Sequence, residues 1–267
     1  MRLSALYRYP LKSAIAQPLQ ASAVDMLGLQ GDRRWMLVDE ATGRFLTQRT
    51  IARMSQLSAL YDDTQGLVLS TAGMPPLAVP LPDPDQDLRG VTIWKDTLRV
   101  PDAGDEAAAW VSAFIGKPTR LVQVPASRTR QLGAGFGKPD DRVAFADGFA
   151  LLLIGEASLH DLGDKVGRPL EMLRFRPNLV VEGSEAFVED GWKRIRIGTT
   201  EFRLLAPCSR CILTTLDPAT GERSEDREPL MTLAKYRKQE GGVMFGQNVV
   251  ADGPGHLEVG MAVEVLE

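Results

Sequence analysis

Two cysteines, two histidines and no long apolar run set the first limits on this 267-residue chain. The histidines, His160 and His256, stand far apart and form no ligand spacing, and the chain has no second cysteine pair, so a four-ligand zinc site is not expected. No Gly-x-Ser-x-Gly occurs and no histidine accompanies a cysteine in a familiar nucleophile pattern, which leaves hydrolysis through a catalytic Ser or Cys unsupported. The carboxylates, though many, show no spacing that singles out an acid/base pair. The opening MRLSALYRYPLKSAIA is broken by Arg2, Arg8 and Lys12, so it reads neither as a signal peptide nor as an anchor. No stretch approaches the roughly 18 apolar residues of a membrane helix. A net charge of -4 and a pI near 5.4 lack the clustered basic surface of a nucleic-acid binder. A soluble cytoplasmic protein is expected, with neither nucleic acid nor membrane as partner and with its thiols reduced.

Against these absences stand 25 glycines and 17 prolines in a chain that is 44% hydrophobic, the composition of a turn-rich fold built on strands. Short β-like runs are predicted at Leu3–Tyr9, Arg34–Asp39, Gly66–Thr71, Val91–Trp94, Leu98–Val100 and Leu121–Val124. They continue at Ala150–Ile154, Asn178–Val181, Trp192–Ile197, Glu201–Leu205, Ile212–Leu216, Gln247–Ala251 and Met261–Leu266. Three helices are predicted at Asp105–Ile115, Glu156–Val166 and Pro229–Gln239, each with apolar residues at helical spacing or a proline start and each followed by glycine. The segment Ala126–Asp141 reads as a long loop. Its Gly133-Ala134-Gly135-Phe136-Gly137 is no dinucleotide fingerprint, because Pro139-Asp140-Asp141 follows where a helix should begin. The fold class expected is mixed and β-rich (α+β) in two parts, with the boundary between Pro101 and Pro125.

Both cysteines fall in LLAPCSRCILTTLDPATGERS, as Cys208 and Cys211. A redox dithiol would use a helix N-terminus to lower the first thiol's pKa, and the Ile212–Leu216 run predicts a strand instead. Two small residues packed at a strand end is the plain alternative. Against it, Ser209 and Arg210 between the thiols make a poor core segment and a good ligand rim, so a soft ligand for a metal other than zinc stays open.

APCSRCILTTLDPATGE, with RFRPNLVVEGSEAFVEDGWKRIRIG before it and EPLMTLAKYR and MFGQNVV after it, resembles the MOSC domain of molybdenum-cofactor proteins. The N-terminal YRYPLKSAIAQPLQASAVDMLGLQGDRRWMLVDEATGRFLTQR is similar to the β-barrel domain that precedes MOSC in the amidoxime-reducing component and its bacterial relatives. The resemblance spans nearly the whole chain. It implies an N-terminal β-barrel-like domain (1–120) and a MOSC β-barrel domain (121–267) with a few peripheral helices, holding a molybdenum cofactor (Mo-molybdopterin) between them. By the same match Cys211 is the metal ligand and catalytic residue, suited to it as a soft thiolate. Lys12, Ser13, Arg49, Asp147, Gly148, Phe149, Arg176, Asn178, Cys208, Ser209 and Arg210 are cofactor-binding, the cations suited to a terminal phosphate. The activity implied is reduction of N-hydroxylated compounds such as amidoximes, hydroxylamines or N-hydroxylated bases. Since no ferredoxin-type cysteines are present, electrons are expected from a separate donor: a ferredoxin, a flavodoxin-type reductase or a cytochrome b5-like protein. A carrier of cofactor, or of persulfide sulfur on Cys211, is the alternative, and a β-rich interaction protein the third.

Overall fold

The computed structural model describes residues 1–62, 64–133 and 135–267, so that Ala134 of the glycine-rich segment lies outside the described residues. Its backbone is β-rich with three α-helices, and its largest unit is a nine-stranded sheet. Across that sheet the strands run Gln17–Leu19, Arg2–Arg8, Leu179–Glu182, Leu151–Gly155, Gly242–Ala251, Thr200–Arg210, Arg194–Ile197 and Val263–Val265, with Lys238–Gln239 also paired to Gly242–Ala251. Smaller sheets of two and three strands carry the rest, and among the described residues the ladders do not close into a ring.

The centre of the large sheet is apolar on both faces. Leu151–Gly155 is buried throughout and pairs in parallel with Leu179–Glu182, as a strand covered from both sides must. A parallel pair needs a crossover, which helix α1 at Asp105–Ile115 does not supply but helix α2 at Glu156–Val166 does. Both helices end where the chain predicts, on Gly116 and Gly167 in the left-handed conformation that glycine adopts freely. The start of α2 is capped from a distance: the buried Glu189 Oε1 accepts from Gly155 N at 3.1 Å and from Ser158 Oγ at 2.6 Å. Leu3, Leu6, Leu153, Leu179 and Val181 pack in one core with Phe202 and Val249, and each such side chain stabilises the fold by about 1.5–3 kcal/mol when fully buried. The first strand is thereby fastened to the C-terminal half, while Thr119–Gln123 pairs back onto Trp35–Asp39.

Three expectations are corrected. The third helix, α3, spans Leu230–Tyr236, because Lys238–Gln239 turns back to pair with Gly242–Val243. Ala126–Asp141 is not one open loop: Arg130–Gln131 pairs with Arg142–Val143, and Asp141 is held by Arg203 at 2.7 and 3.0 Å. Ile212–Thr215 is a 3-10 helix, not a strand. There Thr214 Oγ1 donates to the Cys211 carbonyl at 3.0 Å and Thr215 Oγ1 to that of Ile212 at 2.8 Å, so hydroxyls of β-branched residues hold a tight turn.

Candidate active site

Strand Thr200–Arg210 brings the thiols to the site. It is antiparallel to Gly242–Ala251 with register shifts between Leu204 and Ala206 and between Pro207 and Ser209. Such bulges bend a strand and re-aim its side chains, and proline inside a strand is tolerated at these irregular points. Cys208 thus lies on the strand and Cys211 just past its end, immediately before the 3-10 helix. Both thiols are free and partly buried. No strand directly follows Cys211, yet a redox dithiol still finds no support here. The helix observed has four residues and follows the second thiol, so the first still gains no helix N-terminus.

A cleft of about 180 Å³ opens beside these thiols. Every residue expected at the site lines it: Lys12, Ser13, Arg49, Asp147, Gly148, Phe149, Arg176, Asn178, Cys208, Ser209, Arg210 and Cys211. Further lining residues escaped the sequence, among them Arg33, Arg174 and Asn248. Arg174 sits in the quoted RFRPN motif and was within reach. Arg33, one of two consecutive arginines, carried no signal against the base rate of a solvated charge.

Six cations thus face one carboxylate, Asp147. Asp147 is shared by Lys12 and Arg49, the latter through Nη2 at 2.9 Å. Burial alone would raise its pKa, but Lys12 and Arg49 outweigh that and hold it well below the usual carboxylate range. Lys12, nearly enclosed, also donates to the Phe145 carbonyl at 2.7 Å. Burial pulls its pKa from 10.5 down to about 8 despite Asp147. For Arg49 burial works against the charge, yet Asp147 and then the hydrogen-bonded Cys211 keep its pKa raised.

Arg176 and Arg210 have no carboxylate of their own. Arg176 donates to the Ala14 carbonyl at 2.8 Å and lies 4.2 Å from the centre of the Tyr9 ring, which Arg33 also approaches, at 4.3 Å. Burial, with Arg33 adding to it, pulls the Arg176 pKa down to about 10. Arg210 gives Nη2 to the Phe175 carbonyl at 2.6 Å and Nη1 to Cys208 Sγ at 3.0 Å, while its buried Nε has no partner. Asn178 is largely spent within the fold: Oδ1 accepts from Leu152 N and Arg33 Nη1, and Nδ2 donates to the Tyr7 carbonyl. Its part is to orient Arg33.

The backbone is strained at the same place. Ser13, Arg33 and Arg176 line the cleft with φ of 68°, 47° and 56°. Non-glycine residues adopt this region at a cost of about 1–3 kcal/mol each and cluster at ligand sites.

These donors suit a phosphate-bearing, thiolate-binding group. Two half-buried guanidiniums without carboxylates and an orphaned Nε–H want an anion, and the free Cys211 offers a soft ligand beside them. Among the described residues no three His, Cys, Asp or Glu side chains gather as a metal-holding cluster. A metal at Cys211 would have to bring its other ligands with it, as a pterin-bound metal does. Away from the cleft, His160 and His256 are exposed, and no helix among the described residues is long and apolar enough to cross a membrane.

Comparison with known proteins agrees with this geometry. The MOSC N-terminal beta barrel domain model matches residues 1–118 and the MOSC domain model residues 140–264. Human mitochondrial amidoxime-reducing component 1 is 33% identical, over 98% of this chain and 82% of its own. Human mitochondrial amidoxime reducing component 2 is 34% identical, over 87% of this chain and 71% of its own. The rice molybdenum cofactor sulfurase is 30% identical over 92% of this chain, which corresponds to 32% of that longer protein.

Proposed function

The chain belongs to the MOSC family, and from that membership we propose that it is a molybdenum-cofactor-dependent reductase of N-hydroxylated compounds, with Cys211 as the metal's thiolate ligand. The observation that carries the reading is the single cleft in which Cys211 meets six cations and one carboxylate. In this reading Lys12, Ser13 and Arg49 come from an N-terminal part, residues 1–120, and the other groups from residues 121–267. When bound, the cofactor supplies the two-electron chemistry that takes oxygen from an N–O bond, with two protons consumed and water released.

The protein's own residues prepare the place. The half-buried Arg176 and Arg210 and the buried Lys12 offer charge to a phosphate, and their fixed partners on the Ala14, Phe175 and Phe145 carbonyls hold them ready. Arg49 joins Asp147 to Cys211 and so places a cation beside the thiol. Asp147 presents acceptor oxygens that stay ionised, suited to the N–H groups of a pterin. Cys208, engaged with Arg210, serves as a neighbour of the metal ligand. Electrons come from a separate donor, a ferredoxin, a flavodoxin-type reductase or a cytochrome b5-like protein.

The test is to purify the protein from cells that make the cofactor, then measure bound molybdenum and reduction of an N-hydroxylated substrate with a chemical electron donor. Cys211→Ala loses the metal and Cys208→Ala largely keeps it. A wild type without molybdenum sinks the proposal. Cyanide-labile sulfur on Cys211 with no turnover would assign the chain a carrier role instead.

A further inference from the structure

Beyond the cleft, and sharing Asp147, Gly148 and Phe149 with it, lies a groove of about 610 Å³ rimmed by Trp94, Phe136 and Phe149. That volume is in the range of small-molecule sites. Trp94 is 41% exposed and Phe136 46%, and large rings left open on a groove wall are a feature of binding surfaces. Trp94 stands in the tight turn between the strands Leu88–Ile93 and Asp96–Pro101, with φ of 54°. A bulky aromatic in the left-handed region is an outlier, and such strain persists where the surroundings hold it for a purpose.

The surroundings do hold it. The Trp94 ring rests against Phe45, centroids 4.9 Å apart, and under the Arg49 guanidinium at 5.0 Å. Arg49 is the residue that joins Asp147 to Cys211, so a single side chain separates the open indole from the thiol. The buried Arg130 ties the two walls together, with Nη1 on Asp96 at 3.1 Å and Nε on the Ala144 carbonyl at 3.1 Å. Across the groove Phe136 meets Phe149 edge to face at 5.3 Å.

We propose that this groove is the substrate subsite, holding the planar aromatic body of an uncharged N-hydroxylated compound against Trp94 while its N–O group points toward Cys211. The inference rests on the reductase reading and adds to it the chemical class of substrate and the residue that selects it. Flat π-faces stack on Trp94 without need of particular hydrogen bonds. Arg44, Lys95 and Arg130 in the groove, with Arg49 over Trp94, outnumber its carboxylates Asp96 and Asp147 and disfavour a positively charged ligand. Loss of oxygen turns a neutral amidoxime into an amidine, a strong base that takes a further proton from water to become an amidinium, so the same charges disfavour the product.

The chain has four tryptophans, and Trp35, Trp110 and Trp192 are buried, so Trp94 can be followed alone by its indole N–H resonance in the cofactor-loaded protein. Benzamidoxime should shift that signal at concentrations where acetamidoxime does not, and benzamidine should bind at least fivefold more weakly than benzamidoxime. In turnover, Trp94→Asn, whose side chain tolerates the left-handed turn, should lower the kcat/KM preference for benzamidoxime over acetamidoxime about tenfold, chiefly through KM. Trp94→Phe should restore most of it, and bound molybdenum measured alongside reports whether the cleft is intact. An unshifted Trp94 resonance, or a preference ratio that Trp94→Asn leaves unchanged, overturns the subsite. A shifted resonance with no turnover of either compound supports the groove and refutes the reductase reading.

Discussion

Lys12 is a cation in a nearly dry place, and its cost to the fold should be visible as a pH dependence of stability. Burial lowers its pKa from 10.5 to about 8, with Asp147 opposing and Arg130 and Arg49 assisting. Below pH 8 the ammonium is charged in both folded and unfolded chains, and folding bears the whole cost of drying it. Between pH 8 and 10.5 the folded chain has released a proton that the unfolded chain keeps, so stability rises with pH. Integrated from pH 7 to 9.5, the gain is about 2 kcal/mol. Tyr9, whose pKa burial raises, and Arg176, lowered to about 10, titrate mainly above that window. Urea unfolding of cofactor-free wild type and Lys12→Met at pH 7, 8, 9 and 9.5 isolates the effect. The variant leaves the Phe145 carbonyl without its donor, an offset that does not vary with pH. The difference between the two proteins should therefore change by about 2 kcal/mol across the series, in favour of wild type at the alkaline end. Parallel curves would refute the reasoning, since they would mean Lys12 keeps its ordinary pKa despite its burial.

Two further outcomes follow from packing. Asp141→Asn weakens a carboxylate that accepts both Arg203 Nη1 and Nη2 and the Lys138 amide, and should cost about 3 kcal/mol in urea unfolding at pH 7. Burial acts to raise the Asp141 pKa and Arg203 overrides it, so that contribution is present above about pH 4, the ordinary aspartate value, and fades as pH falls through its lowered pKa. Equal stability of variant and wild type at pH 7 would contradict it. Gly246 sits at φ +77° in the strand Gly242–Ala251, where an added Cβ would meet Ile154 Cγ1 at 2.7 Å and the Leu153 carbonyl at 2.8 Å. Gly246→Ala should lower stability by about 2 kcal/mol or more, and a loss under about 0.5 kcal/mol would show that the centre of the sheet yields more than its packing implies.

The helices α1 and α2 were legible because both of their signals are local: an apolar face and a glycine stop within about a dozen residues. The strand Met74–Val79 was not, because Pro75 and Pro76 argue against any ladder. It is an edge strand of a three-stranded sheet, where a missing N–H need leave no partner unpaired. Trp94 reads as strand in sequence and stands in a turn, since only the pairing of Ile93 with Asp96 reveals the hairpin. The cleft was legible through motifs, not periodicity. Arg33 shows why the remainder was hidden: its meaning lies in Tyr9 and Asn178, and the latter is 145 positions away.

The fastening of Arg2–Arg8 to Leu179–Glu182 bears on how the chain is made. Synthesis proceeds from the N-terminus, so the strand Arg2–Arg8 waits for one of its two neighbours until some 170 residues later, with one edge unpaired meanwhile. Lys12 and Ser13 wait with it, because the strand just before them is anchored on that side only by Leu179–Glu182. Contacts of such long range slow folding, and Cys211 emerges later still. The pocket therefore comes into being only once Cys211 and the strand Gly242–Ala251 beside it have emerged, and whatever fills it is captured after that point.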